Sequence, residues 1–324
     1  MKILVAGATG VIGEELVPQL LAEGHDVVAL ARSPKRTWVV AHPGVDVVTG
    51  DALDGVQITR LVGGVKPDAI VNLLTALPDK INPKHIDRDM AATNRLRTEG
   101  ARNLFEAGRK AGVGTHIVES IAFITDPSGP AVTDEAAPLW QAPPKKYAAA
   151  VAAVAQLERL ADEHRATVLR FGHLYGPGTA FAPEGAFTAQ VRAGKVPLVG
   201  DAGSMFSFLH TADAASAAVV AVTNATAGVF NIVDDDPALM RDWLPELAKL
   251  LGARPPKRVA AWMARMAVGE YGVAYMTALR GSSNRRAKET FGWHPSRSTW
   301  RSGFGEAPAL DEATAALSQD APRG

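Results

Sequence analysis

Unbroken apolar runs alternate with longer stretches of helical period through the first 170 residues. KILVAG, DVVALA, VDVVTG, AIVNLL, THIVES and ATVLRF are rich in Val, Ile and Leu and lack the in–out alternation of a half-wet strand. A strand covered on both faces reads this way, so each run predicts a fully buried strand. Between them, VIGEELVPQLLAEG, MAATNRLRTEGARNLFEAGRKAG and KKYAAAVAAVAQLERLA carry apolar residues at helical spacing. Pro18 lies inside the first of these, where its missing N–H predicts a local kink. Strand alternating with helix predicts an α/β fold, a doubly wound, Rossmann-like parallel sheet over residues 1–170.

The texture changes after residue 170. Turn-rich LYGPGTAFAPEG leads into a helix, followed by VPLVG, a helix near 211–223 and a strand at GVFNIV, residues 228–233. PALMRDWLPELAKLLG and PKRVAAWMARMAVGEYG again have helical period. Residues 171–305 therefore predict a smaller substrate-binding lobe, with the 228–233 strand returning to the sheet. Residues 306–324 carry no aromatic side chain and predict a loosely held tail.

Composition narrows the function classes. Lys and Arg number 34, as do Asp and Glu, so no general attraction to nucleic acid or an anionic membrane is expected. The absence of cysteine excludes disulfides, thiolate-bound zinc and thiol catalysis. The eight histidines are scattered without ligand spacing, so no metal site is expected. The uncharged stretch 214–233 is long enough for a membrane span, but Thr, Asn and Gly interrupt it, which predicts helix, turn and strand instead. MKILVAGATG runs straight into a strand without a leader pattern, and the cytoplasm is the expected location.

The first chemical motif is GATGVIG, with Gly7, Gly10 and Gly13 between the first strand and first helix. A tight turn, close backbone approach to a pyrophosphate and a helix N-terminus are what dinucleotide binding requires there. An acidic residue at the end of the second strand would hold the ribose hydroxyls of NAD. Here VVALARSPKR supplies Arg32, Lys35 and Arg36 instead. An arginine fork grips a 2′-phosphate, which favours NADP over NAD; a solvated basic loop is the alternative. Asp51, in GDALD, is read either as an adenine contact or as an ordinary turn aspartate.

With GATGVIG, the GDALD turn, EGARNLFEAGRKAGV, LRFGHLYGPG, FLHTADAASA and GVFNIVDDDP in view, the chain resembles the NAD(P)-dependent epimerase/dehydratase family, the extended short-chain dehydrogenase/reductases. The resemblance implies an oxidoreductase or epimerase with its cofactor on Gly7, Thr9, Gly10, Val11, Ile12, Gly13, Arg32, Arg36, Asp51, Ala52, Leu73 and Leu74. It also implies a homodimer built through the fourth and fifth helices. Family members pair a Ser or Thr after the fifth strand with a Tyr and a Lys four residues on, and the lysine helps the phenol exchange a proton. Ser120 falls at the hydroxyl position, where it would hold the substrate oxygen, and Tyr147 at the tyrosine, but Val151 replaces the lysine. An aliphatic neighbour cannot stabilise a phenolate and raises the phenol pKa by desolvation.

A second departure sits on the fourth helix, where Arg97 takes the place of the family's Asn. Arg97 is read as filling the space left by the lysine and bringing positive charge towards Tyr147 or Ser120, against a plain solvent-facing arginine. An arginine stabilises an anion without relaying a proton. Glu119 is expected to be structural, its side chain opposite to that of Ser120. His173 is a candidate general acid or a packed core histidine. The leading expectation is an NADP(H)-dependent enzyme acting on a small carbonyl or hydroxyl substrate, the proton coming from Tyr147, His173 or water. A silent NADP(H) sensor and a non-redox lyase or cyclase are the alternatives, because fold alone does not settle chemistry.

Overall fold

The computed structural model describes residues 1–32 and 43–304. All six apolar runs are strands of one sheet: β1 (Lys2–Ala6), β2 (Asp26–Ala31), β3 (Val45–Thr49), β4 (Ala69–Asn72), β5 (Thr115–Ile121) and β6 (Thr167–Phe171). A seventh, β7 (Gly228–Ile232), joins β6, giving the order β7-β6-β5-β4-β1-β2-β3. Every pairing is parallel. The order reverses between β1 and β4, and open α/β sheets bind ligands at the carboxyl ends of strands at such a switch.

Helix α1 (Val11–Ala22) runs through Pro18 and packs with α6 (Thr211–Asn224) on one face of the sheet. The other face carries α2 (Gly55–Val65), α4 (Ala101–Ala111) and α5 (Ala148–Glu163), with α2 started by Asp54, whose Oδ1 accepts from the amides of Val56 and Gln57. Helix α4 continues from α3 (Ala91–Arg95) through a π-helical turn, Leu96–Gly100. Single π turns of this kind are rare and frequent at functional sites, and this one carries the buried Arg97.

The run at 214–233 divides into α6 and β7, and no described helix is long and apolar enough to cross a membrane. One reading needs correction: β3 is largely exposed along its length, because it is the last strand of the sheet rather than an interior one. The expected tail at 306–324 lies outside the described residues, as do Lys35 and Arg36.

The remaining segments build an aromatic core over the carboxyl end of β5 and β6. Phe206, Phe208, Trp243, Trp300 and Tyr175 are its largest buried side chains. Helices α7 (Met240–Leu250) and α8 (Ala261–Thr277) close it, and Tyr147 and Val151 of the α5 start are part of the same cluster.

Candidate active site

The β1–α1 turn is shaped by glycine at two points. Gly7 has φ +95°, and a Cβ there would lie 2.8 Å from the Leu73 carbonyl oxygen at the end of β4. A Cβ on Gly13 would lie 2.4 Å from the Gly7 oxygen, so α1 is pressed against the turn itself. Gly10 donates its N–H to the Gly7 carbonyl and opens α1 without a side-chain cap. The first-turn amides of Val11, Ile12 and Gly13 have no acceptor within the helix and no side-chain cap, and they suit an anion. The Gly178 backbone comes close to the same turn, its Cβ position 3.2 Å from Val11 Cγ1. These residues fit the pyrophosphate of a dinucleotide.

The adjoining candidates line the same sheet edge. Leu73 is buried behind Gly7, and Leu74 donates its amide to Asn72 Oδ1. Asp51 Oδ1 accepts from Leu53 N, and the Ala52 carbonyl accepts from Asn103, so this turn is self-supporting. Arg32 is exposed at the end of β2.

Tyr147 stands immediately before α5 and is only 3% exposed. Its ring stacks on Tyr271 of α8 at 4.3 Å between centroids, and Trp140 meets it edge-on at 6.2 Å. Burial raises its pKa; the Arg97 charge and the Tyr271 hydroxyl act the other way without reversing the direction. Val151, one turn along α5, is buried in the same apolar cluster. The phenol is thus held protonated, the opposite of what a neighbouring lysine achieves.

Ser120 does not join it. Its hydroxyl donates to Glu158 Oε1 at 3.0 Å, and Glu158 also receives Arg170 Nε and Nη2 at 2.8 and 2.7 Å. Glu158 lies three helical turns beyond Tyr147, roughly 16 Å along the axis. Ser120 is therefore a buried structural partner of an ion pair rather than a hydroxyl facing the phenol. The next residue, Ile121, is the one that packs into the Tyr147 cluster. A one-residue step along a strand reverses the side-chain direction.

Arg97 is buried, and its Nη2 donates to Glu119 Oε1 at 2.8 Å. Arg97 and Glu119 thus answer one another's charge. Arg97 is near enough to act on Tyr147, but its charge is matched by Glu119 and does not stand alone beside the phenol.

His173 is also corrected as a general acid. It is stacked on Phe123 at 3.9 Å, with Phe206 at 4.2 Å and Tyr275 at 5.7 Å. Nδ1 meets the Ser207 carbonyl at 3.3 Å, which assigns the ring proton to that nitrogen, and buried Nε2 has no hydrogen-bond partner. Burial pushes its pKa down to about 3, leaving a neutral ring with no proton to give near neutrality. His210 caps α6 through Ala212 N, and Asp213 holds the 296–297 turn through Ser296 and Arg297.

Sequence reading overlooked Tyr271, Tyr275 and Trp140. The signal was present as a tyrosine pair at i and i+4 in EYGVAYMT, which puts both rings on one helix face. Three of the chain's four tyrosines meet here.

With this geometry in place, comparison with known proteins is informative. A family model described as the NAD dependent epimerase/dehydratase family matches residues 3–233. A 3-diazoavenalumate denitrifying reductase from a Streptomyces species is 44% identical over 94% of this chain and 99% of its own length. The fold is shared with DesIV, a dTDP-glucose 4,6-dehydratase of Streptomyces venezuelae seen with NAD and TYD (TM-score 0.74, 22% identity, 94% of this chain and 95% of that one). It is shared too with the human epimerase family protein SDR39U1, seen with NADPH (TM-score 0.70, 21% identity, 94% and 98%).

Proposed function

The chain belongs to the NAD dependent epimerase/dehydratase family, and on that premise we propose that it is an NADPH-dependent reductase whose hydride acceptor takes no proton from the site, a diazo-substituted carboxylic acid being the favoured substrate class. The observation that carries this reading is the buried Tyr147 beside Val151. Reduction of a carbonyl leaves an oxygen that must gain a proton, and a phenol kept protonated by burial parts with one reluctantly. A bound nicotinamide would supply hydride; with the diazo group in its cationic diazonium form on an aromatic carbon, a C–H bond would form as the C–N bond breaks, dinitrogen leaving with the bonding pair and no proton consumed.

The protein's part is to hold and to seclude. Gly7, Thr9, Gly10, Val11, Ile12 and Gly13 would hold the pyrophosphate, with Leu73 and Leu74 beside it and Asp51 and Ala52 towards the adenine. Arg32, exposed where an acidic residue would select NAD, would take the 2′-phosphate. Trp140, which meets the Tyr147 ring, and Ile121 and Phe123, which pack against the same apolar cluster, would keep water from a reactive electrophile, for which hydrolysis is the competing reaction. The Streptomyces reductase supports the substrate class through its name and its 44% identity over 94% of this chain.

The test uses purified protein, NADPH or NADH, and an aromatic diazo carboxylic acid labelled with ¹⁵N. One NADPH should be consumed per labelled dinitrogen released, with NADPH preferred. Tyr147→Phe should keep kcat within about tenfold, whereas loss of a proton-relaying group typically costs about 10²- to 10⁴-fold. NADPH oxidation with simple ketones but none with the diazo acid would overturn the reading.

A further inference from the structure

The start of α8 is apolar on two faces, and only one of them is covered. Ala264 and Val268 face inward and pack with Val199 and Val259. Trp262, Met263 and Met266 lie three and four residues apart and so share the other face, where they are 68%, 47% and 66% exposed. A helix that is apolar all round is ordinarily covered all round. Gly269 breaks α8 at φ 73° and ψ −178°, so residues 261–268 form a ledge of their own. The ledge is anchored at both ends. Before it, the Arg258–Val259 strand pairs with Leu198–Val199. After it, a Cβ on Gly272 would come within 3.1 Å of Pro83 Cβ, so α8 is pressed against the Pro83–His85 turn.

The charges on this segment are of one sign. Residues 254–269 carry Arg254, Lys257, Arg258 and Arg265 and no carboxylate, and all four cations are exposed. Acidic residues adjoin the segment at Glu270, after the break, and at Asp201, after the strand paired with Arg258–Val259. The chain as a whole has no net charge, so this is a local excess. A second copy of the chain is a poor cover, because a two-fold interface would set the four cations against themselves. A stable protein interface also buries about 800 Å² on each partner, far more than three side chains offer. A lipid surface has no such minimum. It admits single Trp and Met side chains at headgroup depth, and its anionic headgroups answer the Lys and Arg around them. No described helix is long and apolar enough to cross a membrane, so such a contact lies on the surface.

We propose that the outer face of residues 261–268 docks the protein on an anionic lipid bilayer. Trp262, Met263 and Met266 enter the headgroup region, and Arg254, Lys257, Arg258 and Arg265 meet the anionic headgroups around them. Binding of this kind needs neither cofactor nor substrate, so it is measured independently of the chemistry proposed above.

The test is flotation of the purified full chain with vesicles of phosphatidylcholine, alone or mixed with phosphatidylglycerol. The protein should float with the mixed vesicles, far less with phosphatidylcholine alone, and come off as salt is raised. Trp262→Ser combined with Met266→Ser should weaken binding by at least about tenfold. Arg254→Gln combined with Lys257→Gln should weaken it about 25-fold, about fivefold for each cation. Both double variants should melt with the parent, since all four side chains are exposed. Vesicles with brominated acyl chains should quench the parent's fluorescence, and that quenching should be lost in Trp262→Phe. No binding, equal binding to both kinds of vesicle, or quenching retained in Trp262→Phe overturns the proposal. So does a concentration-dependent dimer in sedimentation that Trp262→Ser with Met266→Ser abolishes, which would give this face to a second copy.

Discussion

Glu158 accepts from Ser120 and Arg170 together at the seam between α5 and the sheet, all three side chains largely removed from water. Removing one hydrogen bond and stranding a buried cation are different injuries. Ser120→Ala should cost about 2 kcal/mol in urea unfolding and leave turnover unchanged. Glu158→Ala should cost about 3–5 kcal/mol, because Arg170 is left charged and unpaired. Equal losses, or a Ser120 variant with normal stability and no activity, would return Ser120 to the chemistry. At this scale the sequence was readable where a residue type was missing: Val151 stands where the resemblance implies a lysine. It misled where direction mattered, since Ser120 and Ile121 differ by one step along β5 but face different surroundings. Tyr271 was hidden because only folding brings α8 to the start of α5.

Among the elements, the β1–α1 turn was legible in full, since its glycines, preceding strand and following helix are all local features. Its tolerance is small. Gly13→Ala would place a Cβ 2.4 Å from the Gly7 oxygen and 2.5 Å from Ala8 backbone atoms, none of which can swing aside. We expect this variant to lose NADPH binding in fluorescence titration and to melt at a lower temperature. A variant binding NADPH as tightly as the parent would show that the turn can reshape. The interior strands were legible because covered strands leave continuous apolar runs; β3 was legible as a strand but not as an exposed one, because a terminal strand can keep the same residues while wet. Nothing local announces the π turn at Leu96–Gly100, whose extra width accommodates a pair completed from β5.

Across the whole molecule, three buried groups set how stability follows pH. Burial lowers His173 to about 3 and His116 to about 4, from 6.5. The folded chain refuses protons that the unfolded chain accepts, so their contribution is complete above pH 6.5 and declines as pH falls. Asp234 runs the other way: burial, reinforced by Asp236 and Asp235, raises it from 3.8 to about 8, and its contribution is lost as pH rises towards 8. Two histidines outweigh one carboxyl below pH 6.5, and Asp234 acts alone of the three above it. Thermal unfolding from pH 4 to 9 should therefore peak near 6.5, and Asp234→Asn should flatten the alkaline side; a parent-like decline in that variant would remove Asp234 as its cause. The Arg97–Glu119 pair also limits what can be built beside Tyr147. Either residue without the other leaves a buried charge unanswered. A lysine introduced at position 151 would enter a neighbourhood already holding a cation near Tyr147. Val151→Lys alone would therefore add a second buried cation with Glu119 already answering the first, and positions 97, 119 and 151 have to be redesigned as a set.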